Sequence, residues 1–268
     1  MKIVLWIGNE SNQLALAHKL ASRFDLAGIV IESKKTSVKY TVKKVYEKIY
    51  EKLFLPGIDQ AWFGMKDHYR QHYQLPPVTC IEVENINSEA TVQFTRQAGA
   101  TLIMVSGTRI IQPHIIQQFS PSSIINLHTG LSPYIKGGPN CTNWCISTGQ
   151  FHLIGNTVMW LDPGIDSGNL ISTELTTFTG NETLADVHLK VMEHAHDLYL
   201  RSVEQIIQGK ALSVKQDSIA TGKTYYTKNW TLADKKMLVK NFKKFSGTIG
   251  SEMYRQKKEQ VITVPLPA

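Results

Sequence analysis

Apolar positions along the chain fall into short runs whose spacing alternates between two patterns. KIVLWI (2–7), LAGIVIE (26–32), TLIMVSG (101–107) and SIINLH (123–128) are nearly continuous, β-rich stretches, as expected of strands buried on both faces. PPVTCIEV (76–83) reads as a further strand, and TVMWLD (157–162) and NLISTEL (169–175) as a later pair turning around PGIDSG. Between them lie helical patterns. SNQLALAHKLASRF follows the first strand, and NSEATVQFTRQAGA has Asn87 or Ser88 as N-cap with Glu89 in its first turn. IIQPHIIQQF predicts a short helix, and residues 183–207 a long one ended by Gly209. Strands alternating with amphipathic helices predict an α/β fold with a Rossmann-like, mostly parallel sheet. Residues 1–207 form the main domain of this reading, and 208–268 a short basic C-terminal appendage.

One segment interrupts the alternation. From about Thr36 to Tyr73 the chain is basic, with Val42, Val45, Tyr46, Ile49, Tyr50 and Leu53 at helical spacing. It predicts an amphipathic helix laid on the domain, with a membrane-surface role as the alternative weighed against that docking.

Charge and composition narrow the class. The formal net charge is +7, and from Lys223 onward ten Lys or Arg stand against three acids. That surplus suits a solvated basic face or an anionic ligand. No zinc-finger, KH or RNP pattern accompanies it, so no nucleic-acid partner is expected. No apolar run reaches ~18 residues, and MKIVLWIGN lacks the features of a signal peptide. Three cysteines, Cys80, Cys141 and Cys145, make no disulfide framework. The expectation is a cytoplasmic protein without a membrane partner. Cys141 and Cys145 share a helix face but lack further ligands, and His194 and His196 diverge on a helix, so no metal is expected. Neither a GxGxxG nor a G-x-S-x-G pattern is present.

In a parallel sheet, ligands sit beyond the carboxyl ends of the strands. Asn126 and His128 occupy such an end, on one face because side chains alternate with period two. Asp166 lies in a turn flanked by Gly164 and Gly168. Singly, each has an ordinary structural explanation: a turn cap, a half-buried histidine, an Asx turn. Together, an amide that can donate to an oxyanion, an imidazole and a carboxylate suit acyl transfer to an amine.

The N-L-H at 126–128, the following GLSPYIKGGP, SGTRII at 106–111 and PGIDSGNLI at 163–171 resemble the folate-dependent formyltransferases. That family includes glycinamide ribonucleotide transformylase, the catalytic domain of methionyl-tRNA formyltransferase and the sugar N-formyltransferases. The resemblance covers roughly residues 1–207 and implies the formyltransferase fold, with 10-formyltetrahydrofolate as donor and an amine as acceptor. It implies that Asn126 binds the formyl oxygen and that His128 stabilises the intermediate and helps move the proton. Asp166 would set the state of His128 and organise a water. By the same resemblance the pterin is held near Arg109, Ile110 and Ile111 and near Asp162, Gly164 and Ile165.

The departures bear on the acceptor. Where the purine-pathway enzyme has a Gly-Asn-Gly-Ser-Asn phosphate loop, this chain has Gly8-Asn9-Glu10-Ser11-Asn12. A glutamate there should repel phosphate and prefer a cationic or hydroxylated group. Gly130-Leu131-Ser132-Pro133 replaces the common Ser-Leu-Leu-Pro, and Met159 stands where a histidine is frequent. The chain has no room for the β-barrel of the tRNA enzyme. The acceptor expected is therefore a small-molecule amine, a nucleotide-linked amino sugar. Gly8, Asn9, Glu10, Lys136, Gly137 and Tyr226 are assigned to its side. Other acceptors, a 10-formyltetrahydrofolate hydrolase and a non-catalytic folate-binding module are the alternatives, and a homodimer stays open.

Overall fold

The computed structural model describes residues 1–33, 41–138 and 140–267. The start of the basic segment at Thr36 and the Pro139 end of the loop after His128 lie outside them. Among the described residues nine strands are present: β1 (Ile3–Gly8), β2 (Leu26–Glu32), β3 (Cys80–Val83), β4 (Leu102–Ser106), β5 (Ile124–His128), β6 (Ile135–Gly137), β7 (Gly155–Trp160), β8 (Leu170–Leu175) and β9 (Lys223–Tyr225). Seven form one sheet in the order β3-β2-β1-β4-β5-β7-β8. The first five are parallel; β7 runs antiparallel to β5, and β8 to β7. The mostly parallel sheet and the terminal hairpin follow the reading of the sequence. β6 and β9 pair separately, in parallel.

Among the described residues ten α-helices surround the strands: α1 (Ser11–Ala21), α2 (Val42–Phe54), α3 (Pro56–His72), α4 (Glu89–Gln97), α5 (Pro113–Ile116), α6 (Cys141–Ser147), α7 (Leu184–Ile207), α8 (Leu232–Phe242), α9 (Phe245–Ile249) and α10 (Glu252–Glu259). They explain why the central strands read as unbroken apolar text. Ile3, Leu5 and Ile7 of β1 join one core with Leu16 of α1 and Val203 of α7. Val4 and Trp6, on the opposite face, join a second core with Val92 and Ile115. Of the helices, α7 reaches furthest into the sheet. The hydroxyl of Tyr199 accepts from the Val105 amide at 2.9 Å and lies 2.9 Å from the Ile125 carbonyl, bridging β4 and β5 where they separate. Removing it strands two buried backbone groups, so Tyr199→Phe should cost about 1–3 kcal/mol of stability in a urea titration.

The basic segment departs from expectation. It folds as two helices, and α3 is the one that docks, through Ala61, Met65 and Tyr69. No residue of α2 is buried. Apart from Tyr50, the stripe read as a docking face is on the outside, because hydrophobic period identifies an amphipathic helix without saying which side meets the protein.

The segment after α7 packs tightly on the sheet. Val214 bridges to Leu170, and Val264 accepts from the Thr173 amide at 2.8 Å, so the outer edge of β8 is covered. Tyr225 stacks on Trp144 with ring centres 4.4 Å apart, and Phe245 meets Phe151 and Phe178. Among the described residues, no helix is long and apolar enough to cross a membrane.

Candidate active site

β5 ends at the carboxyl edge of the sheet with Asn126 half-buried and His128 8% exposed. Asp166 arrives from the turn between β7 and β8, its Oδ2 3.4 Å from His128 Nδ1. The turn needs a left-handed residue, and Asp166 has φ 47°. Aspartate is among the few non-glycine residues that adopt this region at modest cost.

Two features missed in the sequence hold this pair. The first is β6. Its Ile135 carbonyl lies 3.2 Å from His128 Nε2, and its Gly137 amide donates to Asp166 Oδ2 at 2.8 Å. β6 is fastened by β9, with Gly137 opposite Tyr225. Gly137 has φ 85°, and a Cβ there would lie 2.0 Å from the Tyr225 carbonyl oxygen, so both conformation and space require glycine. The second is Gln216, whose amide donates to the Asp166 and Gly168 carbonyls, both at 2.8 Å. Three residues of β6 and one glutamine in polar text offer no periodic signal. The thiol of Cys141 completes the shell, 3.6 Å from His128 Nε2 and donating to the Gly137 carbonyl.

Burial alone would push the His128 ring below its ordinary pKa. The Asp166 carboxylate, with Cys141 and the Ile135 carbonyl, outweighs that and pushes it up to about 10. Burial pushes the Cys141 thiol up as well. For His128 that direction favours the imidazolium form, which is suited to stabilising negative charge. Because its folded pKa is raised, the stability it contributes is full below about 6.5 and lost as pH rises through about 10. A nitrogen-15 titration should show the ring charged beyond pH 8. In Asp166→Asn, burial should dominate and the midpoint fall below the ordinary histidine value.

The remaining predicted residues divide into two groups. In the loop after β4, the amide and the guanidinium Nε of Arg109 both reach the fully buried Glu32, at 2.8 Å each, and a further guanidinium nitrogen donates to the Glu84 carbonyl. Glu32 also accepts from the Ile86 amide, so one carboxylate ties the loop after β4 to the one after β3. Ile111 is buried and Ile110 is 55% exposed. In the second loop, Asp162 accepts from Gly164 and Ser167, and Ile165 is 36% exposed.

On the other side, Gly8 abuts the Gly107 carbonyl. Asn9 and Glu10 are exposed. Glu10 is not an isolated anion, since Lys66 of α3 holds it at 2.6 Å. Lys136 is half-buried in β6. Gly137, assigned to the acceptor side, contacts Asp166 directly. Tyr226 is exposed beside Lys228.

Comparison with known proteins bears on this arrangement. Residues 1–203 match the family model described as formyl transferase. A methionyl-tRNA formyltransferase of Clostridium novyi is 28% identical over 148 residues, covering 55% of this chain and 45% of that protein. The chain therefore spans less than half the length of this curated relative. Two solved structures share the fold. The phosphoribosylglycinamide formyltransferase of Anaplasma phagocytophilum has a TM-score of 0.56 at 17% identity, covering 85% of this chain and 98% of that one. An N-formyltransferase of Helicobacter canadensis, in complex with folinic acid and dTDP-3-aminofucose, has a TM-score of 0.55 at 15% identity, covering 90% and 81%. A family match over that span, on a sheet of this order, gives the lineage: the chain belongs to the formyl transferase family.

Proposed function

We propose that the chain transfers a formyl group from 10-formyltetrahydrofolate to the primary amine of a nucleotide-linked amino sugar. The observation that carries formyl transfer is the His128–Asp166 pair, 3.4 Å apart and fastened by β6, with Asn126 on the same strand face. The donor reading is supported by Ile110 and Ile165. Two large apolar side chains left exposed on the two loops assigned to the pterin fit a planar, partly apolar ring.

In this reading the amine nitrogen bonds to the formyl carbon and the carbonyl electron pair moves onto oxygen. The Asn126 amide and the His128 imidazolium stabilise that oxyanion. The carbon–nitrogen bond to the donor then breaks, and the proton leaving the amine is passed to the departing nitrogen. Asp166 keeps His128 charged and orients the water that relays the proton. The products are the N-formyl amine and tetrahydrofolate.

Lys66 neutralises Glu10, so the first loop presents neither a bare anion nor a glycine-rich phosphate cradle. Exposed Tyr226, with the Lys228 ammonium 5.7 Å from its ring centre, could stack a base and meet a diphosphate. The Helicobacter canadensis relative carries such a nucleotide sugar. The test supplies 10-formyltetrahydrofolate with nucleotide-linked amino sugars, glycinamide ribonucleotide, hydroxyornithine and methionyl-tRNA. Formylation of an amino sugar ahead of the others, by mass spectrometry, supports the reading. Preference for another amine overturns the acceptor; formate release without any amine makes the protein a hydrolase.

A further inference from the structure

Helix α2 is inverted relative to an ordinary surface helix, which turns its apolar stripe inward. Its least exposed positions are Glu47, Tyr50 and Glu51, one polar-edged face at helical spacing. Through that face it meets α8: Glu51 accepts from Lys235 at 2.6 Å, and the Lys236 ammonium lies 4.3 Å from the centre of the Tyr50 ring. The opposite face carries Val42, Val45, Tyr46, Ile49 and Leu53, each between 43% and 89% exposed. Beside the row Val45, Ile49, Leu53 stand Lys44 and Lys52, both exposed. The helix's two acids are engaged, Glu47 with Lys43 and Glu51 with Lys235. Neighbouring α8 adds exposed Lys236 and Lys240, and the turn after it Lys243 and Lys244.

We infer that α2 is a membrane-surface helix that seats its apolar stripe at the headgroup boundary of an anionic bilayer, its lysines set against lipid phosphates. An amphipathic helix with a broad apolar face bordered by lysines has the form of an interfacial anchor. The charge decides between a bilayer and a second copy of the chain. Two such stripes face to face would bring lysines together with the helix's acids already engaged, and like charges across an interface are costly. An anionic surface pairs with those lysines instead. The +7 net charge of the chain favours the same approach. None of the residues assigned to formyl transfer lies on α2, so this inference stands apart from the proposed activity.

Flotation of the full chain with vesicles tests it. Two lysines near an anionic surface predict about 30-fold stronger partitioning onto vesicles containing phosphatidylglycerol than onto phosphatidylcholine alone. Added salt should weaken it. Ile49→Glu and Leu53→Glu should each lower partitioning by about 10-fold or more. Both positions are exposed, so the melting temperature should not move, and formyl transfer to a soluble amine should be unchanged. Equal partitioning onto the two vesicle types, or full binding by Ile49→Glu, overturns the inference. So does a two-chain mass in light scattering that falls to one chain in Ile49→Glu, because the stripe would then belong to a second copy.

Discussion

Asn126→Ala is expected to lower kcat for formyl transfer by about 10²–10³-fold, the usual loss for one oxyanion-hole donor. The amide is needed when the formyl oxygen takes up negative charge, not while the amine binds. KM for the amine should therefore change little, and kcat and kcat/KM should fall together. The fold should survive, because Asn126 is only half-buried and the strand beside it is fixed by the Tyr199 bridge to Val105 and Ile125. Asn126→Asp makes the companion measurement: similar in volume, but an anion facing a developing anion, it should be no more active than alanine. Single-turnover kinetics with a thermal melt on the same sample separates chemistry from folding. An Asn126→Ala variant with wild-type kcat would remove this residue from the mechanism.

Asp166→Asn should cost about 10²–10⁴-fold in kcat, the range associated with a positioned proton-transfer group. Asparagine suits this test for a structural reason. It tolerates the left-handed backbone that Asp166 adopts and can still accept the Gly137 amide, so the turn should keep its shape. What disappears is the charge that holds His128 protonated. The loss of rate should therefore coincide with the fall in the His128 midpoint, and no such fall should occur in Asn126→Ala. Asp166→Ala gives up the backbone tolerance as well, adding about 1–2 kcal/mol of instability. An Asp166→Asn enzyme with normal turnover and a neutral His128 would show that the imidazolium is not required.

The legible part of this molecule was the part with a period. The central strands β1, β2, β4 and β5 carry nearly continuous apolar text because both faces are buried, and β5 delivers Asn126 and His128 as alternation requires. That Asp166 meets His128 could be read from the family resemblance, not from spacing, since 38 positions separate them in sequence. What stayed hidden depends on partners distant in the chain. β6 and β9 are three residues each, and Lys66 neutralises Glu10 from 56 positions away. A glutamate alone in a loop and a glutamate in an ion pair are identical in sequence. The inverted α2 is hidden for a different cause: its stripe is plain, but the Glu51–Lys235 and Tyr50–Lys236 contacts are what reveal which side faces the protein.

The pairing of β6 with β9 also sets a schedule. A ribosome delivers Gly137 first and Tyr225 only 88 positions later, after the whole sheet and α7 have been made. Until then nothing from β9 can fasten β6, and the carbonyl and amide that orient His128 and Asp166 remain unanchored. A nascent chain with its sheet already folded should thus be catalytically silent, and activity should switch on late in synthesis, when β9 emerges.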